Sequence, residues 1–230
     1  MLSSNPVLPL DNKLLSALPR AQMGLLAPHM TTEKLAQGVV LLEDGEEFDH
    51  VYFPLSGMLS LLVVMGDGKA IEVATVGREG VVGAMAGLGL YKSSARVVVQ
   101  LPMAAAKIAA PRFRKAVENS KAIREVCLRY NEVLLLQARV TAACNILHPA
   151  ESRLCRWLLQ SADRAESNTV PLTQEFLSEM LGVRRTSVSD VASHIQKTGA
   201  ITYTRGVIKI VDRGALERLS CECYRKLRDD

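Results

Sequence analysis

The stretch from Pro171 to Val211 restricts the fold of this chain more than any other, because it carries two amphipathic helices separated by a glycine. Thr173 is a good N-cap for the first helix, and Gly182 stands where a helix can end in the left-handed conformation that glycine adopts cheaply. A second apolar stripe follows at helical spacing, formed by Val188, Val191, Ala192 and Ile195. Two short helices joined by such a turn predict a helix-turn-helix, whose second helix is the recognition helix.

The predicted second helix leaves a polar face exposed. Arg184 and Arg185 stand at its N-terminal end, which enters the major groove in such motifs. Arginine can bond guanine O6 and N7 together, or bind a phosphate. Between Arg184 and Arg213 there are six Lys or Arg against two Asp or Glu, whereas the whole chain carries a net charge of only +4. DNA binding is therefore a stronger prediction than an ordinary helix pair with a solvated charged face. The other outward positions of this helix are Thr186, Ser189, Asp190, Ser193 and Lys197.

A short alternating segment, ITYTRGVIKIV, comes directly after the two helices. Its apolar residues alternate on either side of Arg205-Gly206, which predicts a hairpin packed on the helices as a wing.

Residues 35–109 have a different sequence pattern, with short runs of Val, Leu and Ile interrupted by Gly and Asp. Gly66-Asp67-Gly68 predicts a hairpin turn between Leu59–Met65 and Lys69–Val76. Many short strands of this kind indicate an antiparallel sandwich or barrel, here of roughly eight strands.

A long helix is predicted next, because apolar residues recur at alternating spacings of three and four over more than three heptads. Such a seam favours a parallel homodimer, although a helix buried in a monomer gives the same pattern. Pro149 ends this helix, and Asp163–Thr169 is predicted as a polar connector before the helix-turn-helix. The seam residues are Ile123, Val126, Tyr130, Val133, Gln137, Val140 and Cys144.

Taken in order, these parts resemble the CRP/FNR family of bacterial transcription regulators over nearly the whole chain. The resemblance rests on GREGVVGAMAGLG, on TAACNILHPAESRLCRWLL and on LTQEFLSEMLGVRRTSVSDVASHIQKTGAI. It implies an α+β chain with an N-terminal antiparallel β-roll (a double-stranded β-helix like a cyclic-nucleotide-binding domain), a long dimerisation helix and a C-terminal winged helix-turn-helix. The corresponding ranges are residues 1–119, 120–148 and 149–230.

The resemblance also assigns roles in DNA recognition. It implies a homodimer on a palindromic duplex site with half-sites about one helical turn apart, with RNA polymerase as a further partner. By motif position, Arg185, Thr186 and Asp190 match base-reading residues of the family, and Thr173 matches a phosphate-contacting residue. From the exposed face and the wing we add Ser189 as a base-reading candidate, and we expect phosphate contacts from Arg184, Ser193, Lys197 and Arg205. Asp190 stands where the cyclic-AMP regulators carry Arg, so their target sequence does not transfer to this chain.

The roll departs from the family's cyclic-nucleotide pattern. Binders carry a Gly-Glu that holds the ribose, and about ten residues later an Arg that holds the phosphate. Here Gly83 is followed by Ala84, and Arg96 comes two residues late, after Ser93 and Ser94. Because a buried phosphate needs a cation beside it, we expect either a different effector or a ligand-free scaffold rather than cyclic AMP. The possible pocket residues are Gly83, Ala84, Met85, Leu88, Ser93, Ser94 and Arg96.

Metal and haem cofactors find little support in the sequence. The first cysteine is Cys127, which argues against the N-terminal iron–sulfur cluster of some relatives, and His29 and His50 are isolated as haem ligands. Cys221-x-Cys223 with His194 offers too few ligands for zinc, so no metal and no cofactor are expected. The tail thiols are predicted as small apolar packing, with redox sensing as the alternative.

The sequence lacks the motifs expected of an enzyme and of a membrane protein. No nucleophile stands near a suitable base and acid, and no Gly-rich phosphate loop leads into a helix, so we do not expect an enzyme. No run approaches the roughly 18 apolar residues of a membrane span, so we expect a cytoplasmic protein without a membrane partner. The alternatives are a small-molecule sensor that acts through protein contacts without specific DNA binding, and a regulator that does respond to a cyclic nucleotide.

Overall fold

The computed structural model describes residues 11–228, and these residues form two compact units. The first unit ends at Leu61 and resumes over Thr75–Leu134, whereas the second comprises Leu62–Ala74 and everything described from Leu135 onward. Among the described residues, every helix is too short or too polar to cross a lipid bilayer.

Seven strands precede the long helix, and they pair in two sheets. Two short helices come first, α1 (Lys13–Ser16) and α2 (Arg20–Leu26). One sheet has the antiparallel order β1-β7-β3, formed by β1 (Met30–Leu35), β3 (His50–Pro54) and β7 (Met103–Ala109). The other has the order β2-β6-β4-β5, formed by β2 (Val40–Leu42), β4 (Met58–Val64), β5 (Ala70–Val76) and β6 (Arg96–Leu101).

The strand pattern confirms the antiparallel β-roll, with seven strands in the described residues against the roughly eight that were predicted. Gly66-Asp67-Gly68 does form the turn between β4 and β5, and Gly68 has a φ of +83°. The inward side chains of the strands make one apolar core, in which Val51, Phe53 and Val99 are almost completely buried. The roll is thus closed by ordinary hydrophobic burial.

Helix α3 (Ala110–Glu118) leads into the long helix α4 (Lys121–Leu147). The predicted seam of α4 is covered by its own chain: Ile123 and Tyr130 lie in the core of the first unit, and Val140 and Cys144 lie in a core cluster of the second. Gln137 is also buried. Five of the predicted seam residues are therefore covered within a single chain, which corrects their assignment to a dimer seam, whereas Val126 and Val133 are half-buried and their place in a seam stays a prediction. The large apolar residues that α4 does expose are Leu128, Leu135, Ile146 and Leu147.

The second unit contains the predicted winged helix-turn-helix. Helix α5 (Ala150–Ala165) continues past Asp163, and Thr169 already belongs to strand β8 (Thr169–Pro171), so the predicted connector is shorter than expected. Strand β8 forms an antiparallel sheet with β10 (Val207–Ile210) and β9 (Ile201–Thr204), in the order β8-β10-β9. The elements are α5 (Ala150–Ala165), β8 (Thr169–Pro171), α6 (Gln174–Leu181), α7 (Arg185–Lys197), β9 (Ile201–Thr204), β10 (Val207–Ile210), α8 (Arg213–Leu219) and α9 (Cys223–Arg228).

Candidate nucleic-acid interface and roll cavity

The turn between α6 and α7 is fixed by hydrogen bonds that the sequence motif supplies. The Thr173 hydroxyl oxygen accepts a hydrogen bond from the backbone N–H of Phe176 at 3.3 Å, which caps α6. Gly182 ends α6 with a φ of 61°, and the Ser178 hydroxyl donates to the carbonyl of Val183 at 2.7 Å. The predicted caps are confirmed, and they set the direction in which α7 leaves the turn.

Helix α7 buries one face and exposes the other. Val188, Ala192 and Ile195 are at most 1% exposed and anchor the helix in the second unit. Arg184 is the N-cap, and both Arg184 and Arg185 are exposed. Because the first turn contains no acidic residue, the positive end of the helix dipole is not neutralised there. The N-terminus of α7 therefore combines two guanidinium groups with backbone N–H groups, an arrangement that attracts phosphate.

The other predicted contact residues on α7 differ in their surroundings. Thr186, Asp190, Ser193 and Lys197 are all exposed. Ser189 is half-buried, and its hydroxyl donates to the carbonyl oxygen of Arg185 at 3.3 Å. A base contact through the Ser189 hydroxyl proton would therefore require this bond within the helix to break.

The wing is a two-residue hairpin between β9 and β10. Arg205 and Gly206 both have positive φ, 49° and 77°, as a type I′ turn requires. Arg205 is exposed at the tip of this hairpin. The backbone N–H of Tyr203 donates to the side chain of Gln196 at 2.7 Å, and this bond ties the wing to the end of α7. Burial raises the pKa of Tyr203, so its hydroxyl stays protonated and able to donate.

The first unit contains a cavity of about 200 Å³ at the position predicted for an effector. Five predicted pocket residues line it, namely Gly83, Ala84, Met85, Ser93 and Ser94. Gly83 has a φ of +85°, which turns the chain at the cavity edge. The remaining lining is largely apolar, with side chains of α4 on one side: Phe48, Leu61, Val81, Val82, Leu90, Lys92, Ala95, Val97, Cys127, Tyr130, Asn131 and Leu134.

Two predicted pocket residues do not line this cavity, Leu88 and Arg96. The Arg96 guanidinium instead pairs with Glu43, with Nε 2.7 Å from Oε2, near the surface. Within residues 11–228, the lining includes no carboxylate and only one basic side chain, Lys92. The groups with which the family's binders hold a cyclic nucleotide are thus not gathered here.

One side-chain cluster was missed by sequence reasoning. Cys221 and Cys223 do not gather with His194, which pairs with Glu151 at 3.8 Å. They lie instead against Cys144 and His148 of the α4 end. A signal was present in the sequence, because residues at i and i+4 of a helix share one face, as Cys144 and His148 do.

Two family models match the chain and together span more than half of it. A cyclic nucleotide-binding domain matches residues 32–120, and a Crp-like helix-turn-helix domain matches residues 152–219. They define a regulator that joins a cyclic-nucleotide-binding-like roll to a DNA-binding helix-turn-helix. The chain belongs to the CRP/FNR family of transcription regulators.

Solved structures support the same fold. FixK2 from Bradyrhizobium japonicum aligns with a TM-score of 0.69 at 16% identity, covering 84% of this chain and 98% of its own. The c-di-GMP responsive global regulator CLP of Xanthomonas campestris aligns with a TM-score of 0.68 at 14% identity, covering 84% of this chain and 99% of the CLP chain. A CRP family transcriptional regulator from Thermus thermophilus aligns with a TM-score of 0.67 at 19% identity, covering 82% of this chain and 96% of the other chain. None of the curated proteins matches the chain.

Proposed function

We propose that this transcription regulator acts as a homodimer on a palindromic duplex site, which it reads with α7. The observation that carries the proposal is the exposed edge of α7, with Arg184 and Arg185 at an N-terminus that has no acidic residue. A two-fold dimer would bring two such helices to half-sites about one helical turn apart. RNA polymerase as a further partner, and the cytoplasm as the location, follow from this role and remain predictions.

The roles of the contact residues follow from their positions on the motif. Arg185, Thr186, Ser189 and Asp190 would read bases, with Asp190 able to accept from cytosine N4. Arg184, Ser193, Lys197 and Arg205 would contact phosphates. Thr173 would also contact a phosphate. Its hydroxyl oxygen accepts the capping hydrogen bond of α6, and its hydroxyl proton can still be donated to a phosphate oxygen.

We propose the exposed apolar residues of α4 as the centre of the dimer contact. Leu128 and Leu135 lie one heptad apart, with exposed fractions of 51% and 40%, and Ala142 continues the row at the same spacing. A row spaced by seven residues suits a second copy of the same helix. The division into a sensor (residues 1–119), a dimer helix (120–148) and a DNA-binding domain (149–230) is part of the same proposal.

We propose that any effector in the roll is not cyclic AMP. The lining offers one cation, Lys92, and no carboxylate to hold a ribose, within the described chain. At about 200 Å³ the cavity is also smaller than the roughly 300–1,000 Å³ typical of pockets for drug-sized ligands. A small and mostly apolar effector with one anionic or hydrogen-bonding group fits this lining better.

Selection of binding sites from random duplex DNA, with and without cyclic AMP, tests these proposals together. We expect the same palindrome to be enriched under both conditions. Enrichment only with cyclic AMP would refute the effector argument while leaving the DNA-binding role intact. Absence of enrichment, together with duplex binding that does not weaken with salt, would refute DNA reading and favour an output through protein contacts, because neutralising phosphates makes binding salt-dependent.

A further inference from the structure

Four potential metal ligands meet at the C-terminal end of α4. Cys144 lies near the end of α4 and His148 directly follows that helix, whereas Cys221 lies between α8 and α9 and Cys223 is the first residue of α9. Their ligand atoms all lie within 4.8 Å of one another, and we call these four residues the thiol–histidine cluster. The Sγ atoms of Cys144 and Cys221 are 3.5 Å apart, and the Sγ of Cys223 is 3.7 Å from Nδ1 of His148.

These separations match the edges of a tetrahedral zinc site. Zn–S bonds of about 2.3 Å and Zn–N bonds of about 2.0–2.1 Å imply S···S edges of about 3.8 Å and S···N edges of about 3.6 Å. The Cys144–Cys221 and Cys223–His148 distances agree with these edges to within about 0.3 Å, and the other pairs of ligand atoms lie within 4.8 Å. An iron–sulfur cluster holds its cysteines around a larger body, so four ligand atoms this close suit a single ion.

The histidine is oriented by a neighbouring carboxylate. Nε2 of His148 lies 3.1 Å from Oε2 and 3.2 Å from Oε1 of Glu222. A proton on Nε2 donated to Glu222 leaves the lone pair of Nδ1 directed at the thiols. Metal-binding histidines are commonly held in this way by a carboxylate on the other ring nitrogen.

The surroundings of the cluster also suit thiolates. Cys144, Cys221 and Cys223 are each at most 7% exposed, and the buried Arg156 places a positive charge close to Cys144.

We propose that Cys144, His148, Cys221 and Cys223 bind one Zn²⁺ ion in a closed tetrahedral site. Four protein ligands leave no position for a substrate, so the role of the ion is structural. It would join the end of α4 to the segment that follows the winged helix-turn-helix. The site lies outside the predicted DNA contacts, and the proposal stands or falls independently of DNA binding.

The test is the metal content of the full-length chain, purified without a histidine tag and under reducing conditions. We expect about one zinc per chain by inductively coupled plasma mass spectrometry. Cys221→Ser and His148→Ala should each lose most of this zinc. Cys155→Ala is the matched control, because it removes a buried thiol of the same unit that lies outside the cluster, and it should retain the metal.

Cobalt supplies a second measurement that does not depend on how the variants fold. Wild-type protein refolded with Co²⁺ should show the intense visible bands of a tetrahedral ion and a thiolate-to-cobalt charge-transfer band. Zinc bound equally by wild type and both variants would overturn the proposal, as would cobalt spectra of an octahedral, oxygen-ligated ion. A Cys144–Cys221 disulfide without zinc in anaerobically prepared protein would also overturn it, in favour of a redox pair.

Discussion

The indole nitrogen of Trp157 donates a hydrogen bond to the carboxylate of Glu72 at 2.7 Å, and both residues are buried. Glu72 comes from β5, next to the β4–β5 turn, and Trp157 lies on α5. The contact therefore joins parts of the second unit that are 85 residues apart in sequence. A tip of the β-roll thus packs with the DNA-binding half of the chain.

Removing this acceptor should destabilise the second unit. We expect Glu72→Ala to lower the free energy of unfolding by about 1–3 kcal/mol, because a buried N–H loses its partner. Glu72→Gln keeps an acceptor oxygen and should cost less. Trp157 is the single tryptophan of the chain, so its fluorescence in urea titrations reports on this site directly. Equal losses for the two variants would show that the Glu72 charge, not the hydrogen bond, matters.

Gly80 is required by the close approach of α4. A Cβ at Gly80 would overlap the hydroxyl oxygen and the ring of Tyr130. Gly80→Ala should therefore cost about 1–3 kcal/mol by overpacking. Gly24→Ala on α2 is the control, because a Cβ there meets no atom within 4 Å and should stabilise the helix by about 0.5–1 kcal/mol. Thermal unfolding should show a lower melting temperature for Gly80→Ala and a higher one for Gly24→Ala. An unchanged melting temperature for Gly80→Ala would contradict the close packing of Gly80 against Tyr130.

The two arginines at the start of α7 should behave differently on DNA. Arg185→Ala should weaken the selected site by about 1–3 kcal/mol and relax the preference at one base pair. Arg184→Ala should weaken all sequences alike and reduce the salt slope by about one. Binding titrations on specific and scrambled duplexes at several salt concentrations separate these outcomes. Identical behaviour of the two variants would mean that another face of α7 reads the groove.

The proposed dimer contact at the exposed row of α4 can be tested by placing a single charged side chain in that row. Leu135→Glu should convert the dimer to monomer, because two identical carboxylates would meet near the symmetry axis. Val39→Glu places the same charge at an equally exposed residue, 39% against 40%, between β1 and β2 instead of on α4. Light scattering after size-exclusion chromatography measures the mass. A dimer that survives Leu135→Glu but not Val39→Glu would move the interface to the roll.

The helix-turn-helix could be predicted because its signals are local. Thr173, Gly182 and the spacing of Val188 and Ile195 determine caps and faces within a few residues of themselves. The seam of α4 shows the limit of such patterns, because a regular stripe indicates that a face is covered without indicating what covers it. Val140 and Cys144 turned out to be covered by residues near the end of the same chain.

The remaining features depend on contacts between distant segments. Cys144 and Cys221 are 77 residues apart, and only the finished fold brings them together. Strand β8 is three residues long and ends in Pro171, so it carries too little pattern to be distinguished from a connector. Arg96 could be placed in the roll, but its pairing with Glu43 depends on how β2 and β6 align.

The meeting of Cys144 with Cys221 has a topological consequence for the DNA-binding module. The chain enters the module just after Cys144 and leaves it just before Cys221, so all of α5 to α8 forms one loop whose two ends touch. A shift at the C-terminal end of α4 would therefore reach both ends of this loop at once, while the hydrogen bond from Trp157 to Glu72 holds α5 at a further point.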